Sequence, residues 1–262
     1  MSGIYDEPDL YRLACEYRDI ESETDALIGW CHKHFHGPDG RISSVLELAA
    51  GPAEHAVALA RRGLRAAALD LSPAMCGYAR SRADEARVTL EVVQADMRKF
   101  TLPHTYDLAI TMLNSLCHLI TLDDLVAHLG AVAESVVPGG LYIIELAHPA
   151  DYLAPLSRTS STWTIDADGV HADVRWGGGD DRINPVTQVT GEHMSITARY
   201  PDGTVKTVTD VVPNRFWTGT EVDAAIRLAG GFEIAASYGD FDDSTEVADP
   251  AAWRMIFILR RV

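Results

Sequence analysis

Five residues stand where their types and spacing could do chemistry around a nucleoside. Glu47, Gly51, Asp70, Asp96 and His118 lie at or just beyond the ends of successive apolar runs. Val45 to His55 reads V-L-E-L-A-A-G-P-A-E-H, an apolar strand that enters a small-residue turn and then a helix. A nucleoside edge comes close to backbone only where no Cβ intrudes, and Gly51 supplies such a place. Asp70 closes the next apolar run, and a carboxylate there can accept hydrogen bonds from both ribose hydroxyls. It could instead cap the helix that starts at Pro73, although Ser72 already suits that task. Asp96 ends the third run, in reach of an adenine amino group; a plain turn aspartate is the competing reading.

The elements that must position these residues follow from the hydropathy pattern. Strands are expected at Val45–Leu48, Ala66–Leu69, Val88–Val93, Tyr106–Met112 and Leu141–Leu146. Helices are expected at residues 20–36, Ala53–Arg62, from Pro73 onward, and at Leu122–Val136, with Pro138-Gly139-Gly140 turning into the fifth strand. Alternation of strand and helix predicts a parallel sheet covered on both faces. The rhythm then changes. Thr162–Ala167, Val170–Trp176, Thr187–Tyr200 and Thr204–Val212 read as an antiparallel insert with hairpin turns at Asp166–Gly169 and Pro201–Gly203. A helix over Thr218–Ala229 and strands over Phe232–Tyr238 and Trp253–Leu259 close the chain. The expected division is an N-terminal helical flap (1–36), a core (37–150 and 216–262) and a β-rich insert (151–215).

The 262 residues are 47% hydrophobic and 23% charged, ordinary for a globular enzyme, with a formal net charge of -16. So acidic a surface repels phosphate backbones, so no nucleic-acid partner is expected. No apolar stretch reaches the roughly 18–20 residues of a membrane span, and no signal segment is read at the N-terminus. Cys15, Cys31, Cys76 and Cys117 are scattered singly, which suits reduced thiols in a cytoplasm. His32 and His36 have the spacing of a helical metal pair, but no third ligand is evident and no metal is expected.

A series of motifs resembles one family. E-L-A-A-G-P-A-E, L-D-L-S-P-A-M, Q-A-D-M, Y-D-L-A-I-T-M-L-N-S-L-C-H-L and V-P-G-G-L-Y-I-I-E-L follow in order over about residues 41–147. Together they are similar to the motifs of class I S-adenosylmethionine-dependent methyltransferases of the small-molecule type. The resemblance implies a Rossmann-like α/β fold, a seven-stranded sheet with its last strand antiparallel. It implies that Glu47, Ala49 and Gly51 line the methionine side of the cofactor and that Asp70 binds ribose. Asp96 and Met97 would hold the adenine, with Met75 on its other face, and Leu71 and Met112 would complete the wall. Family members usually have glycine where this chain has Ala49 and Ala53.

By the same resemblance, Asn114, Ser115 and His118 border the sulfonium and the acceptor. His118 is then the candidate catalytic residue, as a base or as a group that only orients the acceptor; packing at the start of the next helix is the competing reading. Glu145 and His148, at the exit of the fifth strand, are candidates for the same mouth, Glu145 as partner of a substrate cation. Related enzymes fold an N-terminal segment over the cofactor. Tyr11 is therefore a candidate for the acceptor, and Tyr17, with Arg18, for the methionine carboxylate. Trp163, Trp176, Trp217 and Trp253 could wall an acceptor pocket, or serve as sheet core or a dimer face. The insert would be an acceptor lid or a surface for a homodimer.

The implied reaction is transfer of a methyl group from S-adenosylmethionine to nitrogen or oxygen of a small molecule, leaving S-adenosylhomocysteine. Three alternatives stand beside it, one of them a protein methyltransferase acting on a peptide, which a shallow open groove over the sulfonium in place of a closed cavity would favour. A nicotinamide oxidoreductase would need a pyrophosphate on the turn, where Pro52, Ala53 and Glu54 stand; the acid repels it. A non-catalytic protein that binds the adenosyl cofactor would keep the fold without turnover.

Overall fold

Continuous apolar runs here become strands with both faces covered. The computed structural model describes residues 3–153 and 161–262; residues 1–2 of the expected flap and 154–160 of the expected insert lie outside the described residues. In chain order the strands are β1 (Ser44–Leu48), β2 (Arg65–Asp70), β3 (Leu90–Gln94), β4 (Tyr106–Thr111), β5 (Val136–Ala147), β6 (Ser161–Ala167), β7 (Val170–Trp176), β8 (Val189–Arg199), β9 (Val205–Arg215), β10 (Phe232–Tyr238) and β11 (Arg254–Arg261). The helices are α1 (Pro8–Ala14), α2 (Ile20–His34), α3 (Glu54–Arg61), α4 (Pro73–Ala86), α5 (Leu122–Ser135), α6 (Ala150–Leu153) and α7 (Gly219–Ala229).

Seven strands form one sheet in the order β10-β11-β5-β4-β1-β2-β3. The pairs β1–β2, β1–β4, β2–β3 and β4–β5 are parallel, and β11 runs antiparallel to both of its neighbours. The strand order reverses at β1 and β4, so the crevice beyond their carboxyl ends is where such a sheet receives a ligand. Alternation along β1 distributes its side chains. Leu46 and Leu48 enter the core under α5 and α7, whereas Val45 enters the core under α2 and α3. Glu47 shares the Val45 face and is carried, buried, toward α3.

The expected elements recur with small shifts. Helix α2 ends at His34, before the Gly37-Pro38 breakers. Strand β5 starts at Val136 and runs through the expected Pro138-Gly139-Gly140 turn, with a register shift against β4. The glycines are required there. Gly139 has φ +75°, and a Cβ on it would lie 2.5 Å from the His36 carbonyl oxygen. That close approach lets the His36 N–H donate to the Gly139 carbonyl at 2.9 Å, which docks the end of α2 on the sheet. Among the described residues no helix is long and apolar enough to cross a membrane.

The remaining strands form a separate antiparallel sheet, β6-β7-β8-β9. Burial alternates along β8. The buried face, with Val174, Met194, Ile196 and Ala198, packs against Ile4, Leu10 and Ala14 of the N-terminal segment. That segment is therefore covered by the insert on one side. On the other, the Ser72 hydroxyl at the start of α4 donates to the Tyr5 carbonyl at 2.9 Å.

Gly139→Ala should destabilise the protein by about 2 kcal/mol or more, through left-handed strain and the backbone clash. Urea unfolding measures this; an unshifted midpoint would contradict the packing described.

Candidate active site

The turn after β1 is backbone-strained. Ala49, Gly51 and Ala53 all lie in the left-handed region, at φ 49°, 51° and 58°. Glycine adopts this conformation freely, whereas alanine is strained there by about 1–2 kcal/mol. The two alanines noted in the sequence thus keep the conformation that glycine would favour. Asp70 holds the turn: its carboxylate accepts the Gly51 N–H at 2.7 Å and the Ser72 N–H at 2.8 Å. Burial pushes the Asp70 carboxyl upward, against these hydrogen bonds. Ser72, not Asp70, caps α4 by accepting the Met75 N–H at 3.2 Å.

Beside the turn lies a cleft of about 130 Å³. Its lining includes Glu47, Ala49, Gly51 and Met112 from the core, together with Tyr11 and Arg18 from the N-terminal segment. Glu47 accepts the Ala56 N–H at 2.7 Å, satisfying an otherwise orphaned donor near the start of α3. His55 is buried between Glu23 (2.8 Å) and Glu47 (3.4 Å). Burial alone would lower its pKa, but the hydrogen bonds to Glu23 and Glu47 raise it to about 9. His55 is therefore a cation at neutral pH. Glu54 also faces the cleft, paired with Arg12 at 2.9 Å. A lining that mixes cations and carboxylates suits a zwitterion such as the amino-acid end of a methionine cofactor.

A larger cavity of about 570 Å³ opens next to this cleft. Tyr11, Cys15, Leu113 and Ser115 line both spaces. His118 lies on the larger cavity, its Nε2 3.0 Å from the Tyr5 hydroxyl and its ring edge-on to the Tyr5 ring. Burial lowers the His118 pKa, so the imidazole is neutral at physiological pH. Asn114 and Ser115 line the same cavity.

The loop that carries these residues is strained as well. Leu113 and Asn114 have φ 53° and 58°, which for leucine marks a genuine outlier. The end of β5 holds it. Glu145 accepts the Leu113 N–H at 2.8 Å, the Glu145 carbonyl accepts the Asn114 N–H at 3.2 Å, and the Asn114 side-chain oxygen accepts the Ala147 N–H at 3.1 Å.

Several of the expected residues lie outside the two spaces or are engaged by other side chains. Glu145 does not present a free carboxylate to an acceptor: it is buried and bridges Arg18 (2.8 Å) and Arg254 (3.1 Å). His148 lines neither space; its Nδ1 accepts the Ala150 N–H and its Nε2 donates to the Val247 carbonyl. Tyr17 lines the larger cavity, edge-on to Trp163, rather than the cleft. Asp96 gives both oxygens to Arg98, at 2.6–3.0 Å, which lowers its pKa. Met75 is buried close to the turn and Met97 packs into the core under α5, whereas Leu71 is exposed. Asp70 and Leu71 line neither space. Of the tryptophans, Trp163 and Trp176 wall the larger cavity, Trp217 is core and Trp253 is a half-exposed platform for Arg254.

Glu192 and Asn214, on the insert, also line the cavity and were not singled out in the sequence. A signal was present. Thr190, Glu192, Met194, Ile196 and Ala198 share the buried face of β8, so a carboxylate interrupts an otherwise mostly apolar stripe.

Comparison with known proteins bears on this geometry. Residues 45–140 match a family model described as a methyltransferase domain. The chain is 34% identical over 103 residues to a dTDP-3-amino-3,4,6-trideoxy-alpha-D-glucopyranose N,N-dimethyltransferase of Streptomyces venezuelae, covering 39% of this chain and 42% of that one. It is 28% identical over 155 residues to a cypemycin N-terminal methyltransferase of a Streptomyces species, covering 57% and 59%. The matched stretch thus spans about half the length of these curated relatives. The crystal structure of Streptomyces venezuelae DesVI superposes with a TM-score of 0.79 at 21% identity, covering 97% of this chain and 98% of that one.

Two predictions concern this site. Ala49→Gly should stabilise the ligand-free protein by about 1 kcal/mol, by relieving left-handed strain; a urea midpoint that falls instead would contradict this. The second concerns His55, whose folded pKa lies above its unfolded value of about 6.5. Its contribution is complete below that pH and lost as pH rises through about 9. The wild type should therefore lose on the order of 3 kcal/mol more stability than His55→Gln over that window. Parallel stability–pH curves would contradict the assignment.

Proposed function

We propose that this chain, which belongs to the class I S-adenosylmethionine-dependent methyltransferases and has S-adenosylmethionine as its cofactor, methylates a nitrogen of a small molecule held in the larger cavity. The observation that carries this reading is the wall shared by the two spaces. A methionine end in the cleft and an acceptor in the cavity would meet at Tyr11, Cys15, Leu113 and Ser115. The choice of nitrogen over oxygen is supported by the two curated relatives, one named as an N,N-dimethyltransferase of an amino sugar and the other as an N-terminal methyltransferase.

The bound cofactor supplies a methyl group already activated by a positively charged sulfur. The protein's task is then alignment more than acid–base work. Arg18 and protonated His55 favour the carboxylate of the amino-acid end, and Glu47 favours its ammonium. Asp70, which keeps spare lone pairs beyond its two backbone hydrogen bonds, takes the ribose. Leu71, exposed next to it, covers the nucleoside; adenine recognition by Asp96 would require Arg98 to move aside. Asn114, Ser115 and Tyr11 seat the acceptor. The flap (1–36) and the insert (151–215) act as its lid, and four unpaired thiols suit a reducing cytoplasm.

Neutral His118, oriented by Tyr5, receives the proton that the acceptor nitrogen loses, or orients that nitrogen. His118→Ala should lower methyl transfer by about 100-fold or more, while S-adenosylhomocysteine affinity, measured by calorimetry, stays the same. Because burial lowers the His118 pKa, the wild-type kcat/KM profile should contain an acid-side ionisation below the ordinary histidine value of about 6.5 that His118→Ala lacks. Full turnover in the variant, or acid-side profiles of identical shape in the two proteins, would remove His118 from the reaction.

A further inference from the structure

The wall of the larger cavity contributed by the insert has its own chemistry. Glu192 is buried there, and the Asn214 side-chain N–H donates to its carboxylate. The Cys117 thiol donates in turn to the Asn214 side-chain oxygen at 3.4 Å. A continuous hydrogen-bonded chain thus runs from the insert carboxylate to the residue next to His118. Among the described residues lining this cavity, Glu192 and Asp151 are the carboxylates, and none is lysine or arginine. The rings of Tyr5, Tyr11, Trp163 and Trp176 make up much of the remaining wall.

We infer that Glu192 makes this cavity a reader of cationic amines that excludes phosphorylated acceptors; this rests on the transferase reading above and names its substrate class. A buried carboxylate attracts a cation and penalises a second anion, because neither is screened by water. Aromatic faces add attraction for an ammonium group. A phosphate in the same lining would meet two carboxylates and, among the described residues, no lysine or arginine to compensate it.

The same group accounts for the proton. An amine enters as its ammonium ion, and transfer of one proton to the Glu192 carboxylate frees the nitrogen lone pair. That pair forms the new N–C bond as the C–S electrons return to sulfur, so the positive charge passes from sulfur to nitrogen. The methylated ammonium then releases its own proton to His118, and Glu192 returns the proton it took to water, which restores the carboxylate. Burial pushes Glu192 up to about 7, with nearby Asp181 adding to the shift and Asn214 opposing it, so it exchanges a proton near neutrality. Tyr5 and Cys117 also interact with Glu192; burial holds both in their neutral forms.

The test uses the whole protein saturated with S-adenosylhomocysteine and three probes of one shape: 2-phenylethylamine, 2-phenylethanol and 2-phenylethyl phosphate. Binding is read by calorimetry and by tryptophan fluorescence. The amine should bind at least tenfold more tightly than the alcohol, and the phosphate most weakly. Glu192→Gln should abolish the preference for the amine and leave S-adenosylhomocysteine affinity intact, whereas Glu192→Asp, which keeps the charge, should retain the preference. Equal affinity for the three probes, or a preference that survives in Glu192→Gln, would overturn the inference. S-adenosylhomocysteine is titrated separately: absence of its binding would sink the transferase reading, whereas its tight binding without amine preference would sink only the role of Glu192.

Discussion

One buried ion cluster holds the parts of this molecule in register. Arg18 lies between Glu23 at 2.6 Å and Glu145 at 2.8 Å, and Arg254 contacts Glu145 at 3.1 Å. Protonated His55 lies between Glu23 and Glu47. Three cations therefore face three carboxylates, with almost no solvent access. Each ion has lost its hydration and depends on its partners, so removal of any one leaves an uncompensated buried charge, typically worth 3–5 kcal/mol. The partners come from the N-terminal segment, α2, β5, β11, α3 and β1. Burying this cluster is possible only if all six elements meet at the carboxyl edge of the sheet.

The cluster also shapes the site. Glu145 anchors Arg18, which fixes the N-terminal segment across the sheet edge, and it holds the Leu113 N–H that stabilises the left-handed loop. One carboxylate thus sets both the roof of the cleft and the backbone that presents Asn114, Ser115 and His118. The insert adds the third wall. It packs its apolar face on Ile4, Leu10 and Ala14, so the N-terminal segment is clamped between the two sheets. A change in that segment is therefore transmitted to the cleft, the cavity and the insert together.

Much of this was legible in the sequence because its cause is local. The strand–turn–helix around Gly51, the helix cap at Ser72 and the alternating insert strands depend on neighbours within a few residues. The placement of Glu47, Ala49 and Ser115 along the cleft was legible because each lies in or shortly after a central strand of the sheet. The site was not legible where a distant partner decides the role. Glu145 reads as a carboxylate at a mouth until Arg18 and Arg254 neutralise it. Asp96 reads as an adenine ligand until Arg98, two residues on, folds back over it. Glu192 was visible only as a break in the mostly apolar stripe of β8, and that stripe gains meaning once the N-terminal segment packs against it.

The central claim is that the cleft and the larger cavity are the two halves of one transfer site, joined at Leu113 and Ser115. A crystal structure with S-adenosylhomocysteine measures this most directly. The amino-acid end is expected in the cleft beside Arg18, His55 and Gly51, with the sulfur at the shared wall facing His118's cavity. A nucleoside lying within the larger cavity, or a sulfur directed away from Leu113 and Ser115, would contradict it.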